Sequence, residues 1–158
     1  MRVLGVDPGA TGALALWDTE LQALAVCDMP SAVVPVGKRM LRRELSEAML
    51  AYTLAEWEPD CAWIERVHAL PKQGVTSSFS FGVAYGLVRG VLAAMRVPMT
   101  RVTPNEWKKH FRLGADKNEA RLTAARLLPA NAGDFSRVRD DGRAEAALLA
   151  LFGAQQAV

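Results

Sequence analysis

The chain has 158 residues, material for one packed core but not for two lobes around a cleft, which argues against functions that need two domains. Its composition is 51% hydrophobic and 23% charged with 12 Gly and 8 Pro, which excludes disordered, collagenous and disulfide-stapled chains. The net charge of +2 conceals an asymmetry: residues 1–65 carry 5 basic and 10 acidic side chains, net −5, and residues 66–158 carry 14 and 7, net +7. The second part therefore faces an anionic partner or carries solvated helix faces, and charge alone does not choose.

In chain order, residues 2–6 alternate and end at Asp7, and 12–17 and 21–29 are two more short apolar runs separated by a DTE turn. They read as a three-stranded antiparallel meander. Residues 30–39, with two prolines, read as a loop. Leu45, Ala48, Met49 and Tyr52 follow helical spacing, so 41–57 reads as an amphipathic helix stopped by Glu58-Pro59. Residues 60–65 form a strand ending on Glu65, 66–77 a loop, 78–95 a second helix and 98–102 a fifth strand. Thr103-Pro104 opens a short helix to Phe111, Asp116 caps a helix over 117–128, and 141–152 is the last helix. The pattern predicts a single α/β domain around a mixed five-stranded sheet, with the antiparallel meander followed by parallel strands, flanked by helices.

No run reaches the roughly 18 apolar residues of a membrane span, and MRVLGVDPGATG has acid, proline and glycine where a signal peptide places its apolar region. The expectation is a cytoplasmic protein with no membrane partner. Cys27 and Cys61 lie in apolar runs and read as core residues.

Chemistry concentrates in the acids. Asp7 and Glu65 stand at the C-terminal ends of the two strands expected at the sheet centre, where functional groups gather in α/β folds. Asp140, Asp141 and Glu145 open the last helix. If that helix packs beside the first strand, carboxylates from three distant segments converge, a self-repelling group unless cations are present. Carboxylates without His or Cys favour hard ions such as Mg²⁺ or Mn²⁺, a pair of which serves phosphodiester hydrolysis. On a helix, positions four apart lie about 40° from each other, so Asp141 and Glu145 share a face and Asp140 caps the helix or faces solvent. A non-helical first turn at Gly142 would instead bring Asp140 inward.

These residues resemble the RuvC family of Holliday-junction resolvases, in particular its small phage or prophage members. The resemblance runs through GVDPGATGALAL, IERVHAL, FSFGVAYGLVRGV, VTPNEWKKHFRLGADKNEA and DDGRAEAALLALFG, in order over nearly the whole chain. It implies an RNase H-like fold, a homodimer, and symmetric nicking of a four-way DNA junction with two Mg²⁺ per site, Mn²⁺ substituting, in a bacterial or phage-infected cell. It implies Asp7, Glu65, Asp141 and Glu145 as metal ligands, although the family spaces its last two ligands three apart and here they are four apart. It makes Lys117 a catalytic lysine near the scissile phosphate. Lys108 takes a second basic position, and Lys72, Lys109, Arg112 and Arg121 join it as DNA-binding candidates. His68 takes the place of an aromatic that inserts at the junction centre.

Ser78, Gly82, Gly86, Gly90 and Ala94 form a row of small residues four apart. Glycine within a helix costs about 1 kcal/mol relative to alanine, so the row marks a close backbone approach, to the chain's own sheet or to a second copy. Other function classes remain open: a nuclease acting on other branched DNA or on RNA, a non-catalytic junction-binding module, and an actin-like phosphotransferase suggested by the Asp7–Gly12 loop, which normally needs a second lobe.

Overall fold

The computed structural model describes residues 1–35, 37, 39–68, 74–114 and 116–157, with Lys117 described in its backbone alone. Strands β1 (Arg2–Asp7), β2 (Ala13–Asp18) and β3 (Ala23–Asp28) form the antiparallel meander, and β6 (Cys61–Glu65) and β7 (Met99–Val102) add in parallel. Together they make a five-stranded sheet in the order β3-β2-β1-β6-β7. The expected mixed sheet is thus present. β1 and β6 pair from Val3↔Cys61 to Val6↔Ile64, so Asp7 and Glu65, one residue further on, end neighbouring strands side by side.

Alternation along the strands divides the core between two faces. Leu4, Val6, Leu14, Ala62 and Ile64 pack with Leu50 and Leu54 of α1 (Glu47–Trp57) and with Ala84, Val88 and Leu92 of α2 (Val75–Ala94). Ala13, Ala15 and Trp63 face the other way. They pack with α5 (Asp141–Gln156), together with Trp107 of α3 (Pro104–His110) and Ala120 and Ala124 of α4 (Lys117–Leu127). Asp7 and Glu65 have the parity of this second face.

Small residues let α5 lie close on the sheet. A Cβ on Gly5 would stand 2.0 Å from the Ala146 carbonyl oxygen, and one on Gly153 would stand 2.2 Å from the Trp63 ring. A stretch from Pro129 to Phe135 and another from Val138 to Asp140, both 3₁₀, lead into α5.

Three expectations need correction, and one alternative left open is decided. Residues 30–39 are not all loop: β4 (Ser31–Pro35) pairs with β5 (Leu41–Leu45) as a separate two-stranded hairpin, with Pro35 at its end where no further ladder bond is needed. The first helix therefore starts at Glu47, where the Ser46 hydroxyl accepts from the Met49 amide. Its buried face is Leu50 and Leu54, whereas Met49 and Tyr52 are exposed and Leu45 is a strand residue. Helix α2 begins at Val75 and, by length and composition, is apolar enough to cross a membrane, with a mean hydropathy of 1.2 over its best window. That differs from the sequence expectation, and the reason is local: one side of α2 packs on the sheet while Val75, Phe79 and Val83 on the rest of the helix stay exposed. Finally, the glycine row does not meet the chain's own sheet, because a Cβ at Gly82, Gly86 or Gly90 has nothing within 4 Å.

Candidate metal centre and nucleic-acid face

The turn after β1 holds Asp7 in place. The Gly12 amide donates to the Gly9 carbonyl at 3.0 Å, Gly9 has a φ of 148° that glycine alone takes easily, and the Met29 amide donates to the Gly12 carbonyl at 2.8 Å. Helix α5 crosses just above. A Cβ on Gly142 would stand 2.9 Å from Asp7 Oδ2, so glycine there is what allows the first turn of α5 to come down on the carboxylate. One turn along, Glu145 then reaches the same place.

Oxygens of Asp7, Glu65 and Glu145 lie within 4.8 Å of one another, each residue half-buried. Their surroundings partly hold the charge. The fully buried Trp107 donates its indole N–H to Glu65 Oε1 at 3.1 Å, and Lys108 Nζ lies 3.2 Å from Glu145 Oε1, over the Trp107 ring. Burial pushes the Glu65 carboxyl above its ordinary range, against the Trp107 hydrogen bond, and the Glu145 charge pushes it the same way. Among the described side chains, the three carboxylates and the Lys108 ammonium share a partly desolvated place. This all-oxygen donor set fits a hard divalent cation and offers nothing to a soft one.

Neither Asp140 nor Asp141 belongs to this close set. Asp141 is the first residue of α5. Asp140 is 1% exposed and is gripped by Arg137, whose Nη2 and Nε donate to Oδ1 at 2.8 and 3.0 Å while its amide donates to Oδ2 at 2.8 Å. The Arg137 hydrogen bonds hold the Asp140 carboxyl below its usual range. It faces no solvent and its side chain makes no cap bond to α5, so the expected cap or surface role is replaced by a buried tie across the preceding 3₁₀ turn. Asp140→Asn should lower stability by roughly 1–3 kcal/mol, since it leaves Arg137 without its anion, and should spare cleavage at a temperature where the fold holds. A dead but fully stable variant in thermal melts would move Asp140 into the metal-holding group.

The basic candidates separate. Lys108 stands at the acids. Lys109 and Arg112 are exposed at the end of α3, and His68 is exposed three residues beyond Glu65. Arg121 differs from the expectation: its guanidinium donates to the Phe135 and Ser136 carbonyls at 3.4 and 3.3 Å and to Asn118, so it ties α4 to the following turn instead of reaching outward. Lys72 and the Lys117 side chain lie outside the described residues; Asp116 caps α4 as expected, accepting from the Asn118 amide at 2.9 Å.

Trp107 has no counterpart among the sequence candidates. The signal available was the block NEWKKH after a proline, which sets a helix whose fourth and fifth positions carry a large ring and a lysine; only the fold shows that the ring points at Glu65. Trp107→Phe should keep the fold and reduce cleavage about 10–100-fold, the usual cost of losing a group that orients a ligand. Because the indole N–H lowers the Glu65 pKa, its loss should also move the acid limb of the pH–rate profile upward; an unmoved limb would make Trp107 a packing residue only.

The strand order and the two helical layers give a fold similar to that of solved RuvC and Holliday junction resolvase structures. In particular, the chain is similar to Thermus thermophilus RuvC in complex with a Holliday junction substrate, at 18% identity and a TM-score of 0.68 over 99% of this chain and 95% of that one. It is also similar to the fowlpox virus Holliday junction resolvase, at 14% identity and 0.56 over 100% of both chains. A third similar structure is the yeast mitochondrial Holliday junction resolvase, at 13% and 0.57 over 94% and 77%. No family model and no curated protein sequence matches the chain.

Proposed function

We propose that this protein is a divalent-metal-dependent endonuclease that resolves four-way DNA junctions by symmetric hydrolysis of two phosphodiester bonds, acting as a homodimer. The observation that carries the reading is the meeting of Asp7, Glu65 and Glu145 within 4.8 Å on a fold shared with junction resolvases. One similar protein is described in complex with a Holliday junction substrate, and the net charge of +7 on residues 66–158 suits a polyanionic substrate.

Asp7, Glu65 and Glu145 would hold the cation, with Asp141 as a further candidate at the helix start. A bound pair of Mg²⁺ or Mn²⁺ supplies activation of water and stabilisation of charge on the leaving oxygen. The chain's own groups do the rest. Trp107 fixes the rotamer of Glu65, Gly142 admits α5 to the turn, and the Lys108 ammonium beside Glu145 is placed to meet a phosphate oxygen entering the acidic site. Lys117 at the start of α4 is a second lysine for the phosphate. Lys109, Arg112 and His68 offer exposed contacts to the arms and centre of a junction.

The homodimer rests on α2. Gly82, Gly86 and Gly90 are exposed with open space where a Cβ would stand, and Phe79 is 70% exposed beside them. A row that leaves its own sheet untouched is available to a second copy. Gly86→Leu should therefore dissociate the dimer while the protomer stays folded, read by analytical ultracentrifugation beside circular dichroism; an intact dimer would take the row out of the interface.

The test of the function is cleavage of a labelled four-way junction in Mg²⁺, with a matched linear duplex, three-way and flap DNA, and an RNA junction in parallel. Paired nicks in the four-way DNA alone are expected. Equal cutting of the other substrates would broaden the reading to a general RNase H-like nuclease, and binding without cutting in Mg²⁺ or Mn²⁺ would leave a junction-binding module.

A further inference from the structure

A cavity of about 290 Å³ opens on the other side of the Asp7 turn, between that turn, the β4–β5 hairpin and the 3₁₀ turn before α5. Arg43, Arg137 and Arg139 line it together with Thr11, Ser31 and Asp28. Two guanidiniums there are balanced: Arg137 by the buried Asp140, and the adjacent Arg143 by Asp28 at 2.6 Å. The other two cationic groups have no such anion. Arg43 donates to the neutral Ser31 hydroxyl at 2.9 Å, and no ion pair holds Arg43 or Arg139 among the described residues. The cavity thus offers uncompensated guanidinium charge with hydroxyls beside it, which is the chemistry that receives a phosphate oxygen.

Its position says which phosphate. Gly12 lines the cavity, and a Cβ on Gly12 would stand 3.2 Å from Asp7 Oδ2, so a single backbone residue lies between this cavity and the Asp7 carboxylate. We propose that Arg43 and Arg139 form a binding site for a backbone phosphate flanking the scissile one, holding the cut strand across the Gly12 turn; this rests on the nuclease reading above. On this assignment the hairpin carries Arg43 and Ser31 out to the strand. Arg137 and Arg143 are positioning residues, fixed by Asp140 and Asp28 so that the wall keeps its shape.

The test uses the double variant Arg43→Ala, Arg139→Ala, which leaves both ion pairs intact. In the first arm, sulfate is titrated against chloride at equal ionic strength without metal or DNA. Sulfate should raise the wild-type Tm by about 2–4 °C and leave the double variant unmoved. An equal rise in both proteins overturns the anion site. In the second arm, junction binding is measured in Ca²⁺ with either a normal backbone or a neutral methylphosphonate next to the cut bond. The double variant should bind about tenfold more weakly with a salt slope lower by about one, and the methylphosphonate should weaken the wild type alone. Additive losses from protein and DNA changes would overturn the assignment to that phosphate. If wild-type protein neither binds nor cuts a junction, the nuclease reading falls and the DNA ligand with it, whereas the sulfate arm still reads the site.

Discussion

Asp7→Asn should lower junction cleavage more than about 10³-fold, beyond the 10–100-fold typical of residues that only orient a ligand. The side chain keeps its shape and loses its charge. Asp7 lies beneath the first turn of α5 with Glu65 and Glu145 within 4.8 Å, so its replacement removes one of the three charges that would hold a dication. Junction binding in Ca²⁺ should persist, carried by the basic groups. Cleavage within tenfold of wild type would dismiss Asp7 as a metal ligand.

Gly5→Ala should produce the largest loss of stability, about 3 kcal/mol or more, which for a chain of this size is a Tm lower by roughly 6–12 °C. The new methyl would meet the Ala146 carbonyl oxygen at 2.0 Å and the Ala150 amide nitrogen at 2.5 Å, and neither backbone atom can swing aside. Helix α5 must rise from β1. Glu145 precedes Ala146, so the same displacement carries it out of the acidic set, and cleavage should fall even where the protein remains folded. A differential scanning calorimetry midpoint within 2 °C of wild type would show slack between α5 and the sheet.

Much of this was legible in the sequence, for identifiable reasons. Alternation in residues 2–6 and 60–65 fixes both the strands and the parity of Asp7 and Glu65, because side chains change face at each residue. The face of Glu145 follows from helical geometry once α5 is placed. The hairpin was hidden because Pro35 and Gly37 are loop residues in isolation, and pairing between β4 and β5 is a non-local fact. Leu45 misled in the same region: it continued a helical spacing that in the fold belongs half to β5 and half to α1. Single charged residues were the least legible. Arg121 and Asp140 look like surface charges until Phe135 and Arg137 are beside them. The glycine row was readable as a close approach but not as to which neighbour, since a helix sequence does not state which side the sheet covers.

The three acids come from β1, β6 and α5, so no single element of the chain contains the centre. A ribosome-bound chain that has not yet emerged past residue 145 holds two of the three carboxylates and lacks the helix that brings the third. On the proposed function, competence for cleavage is then tied to the docking of α5. The same coupling works in reverse: any opening that lifts α5 from the sheet takes Glu145 away from Asp7 and Glu65, and a bound dication would resist it.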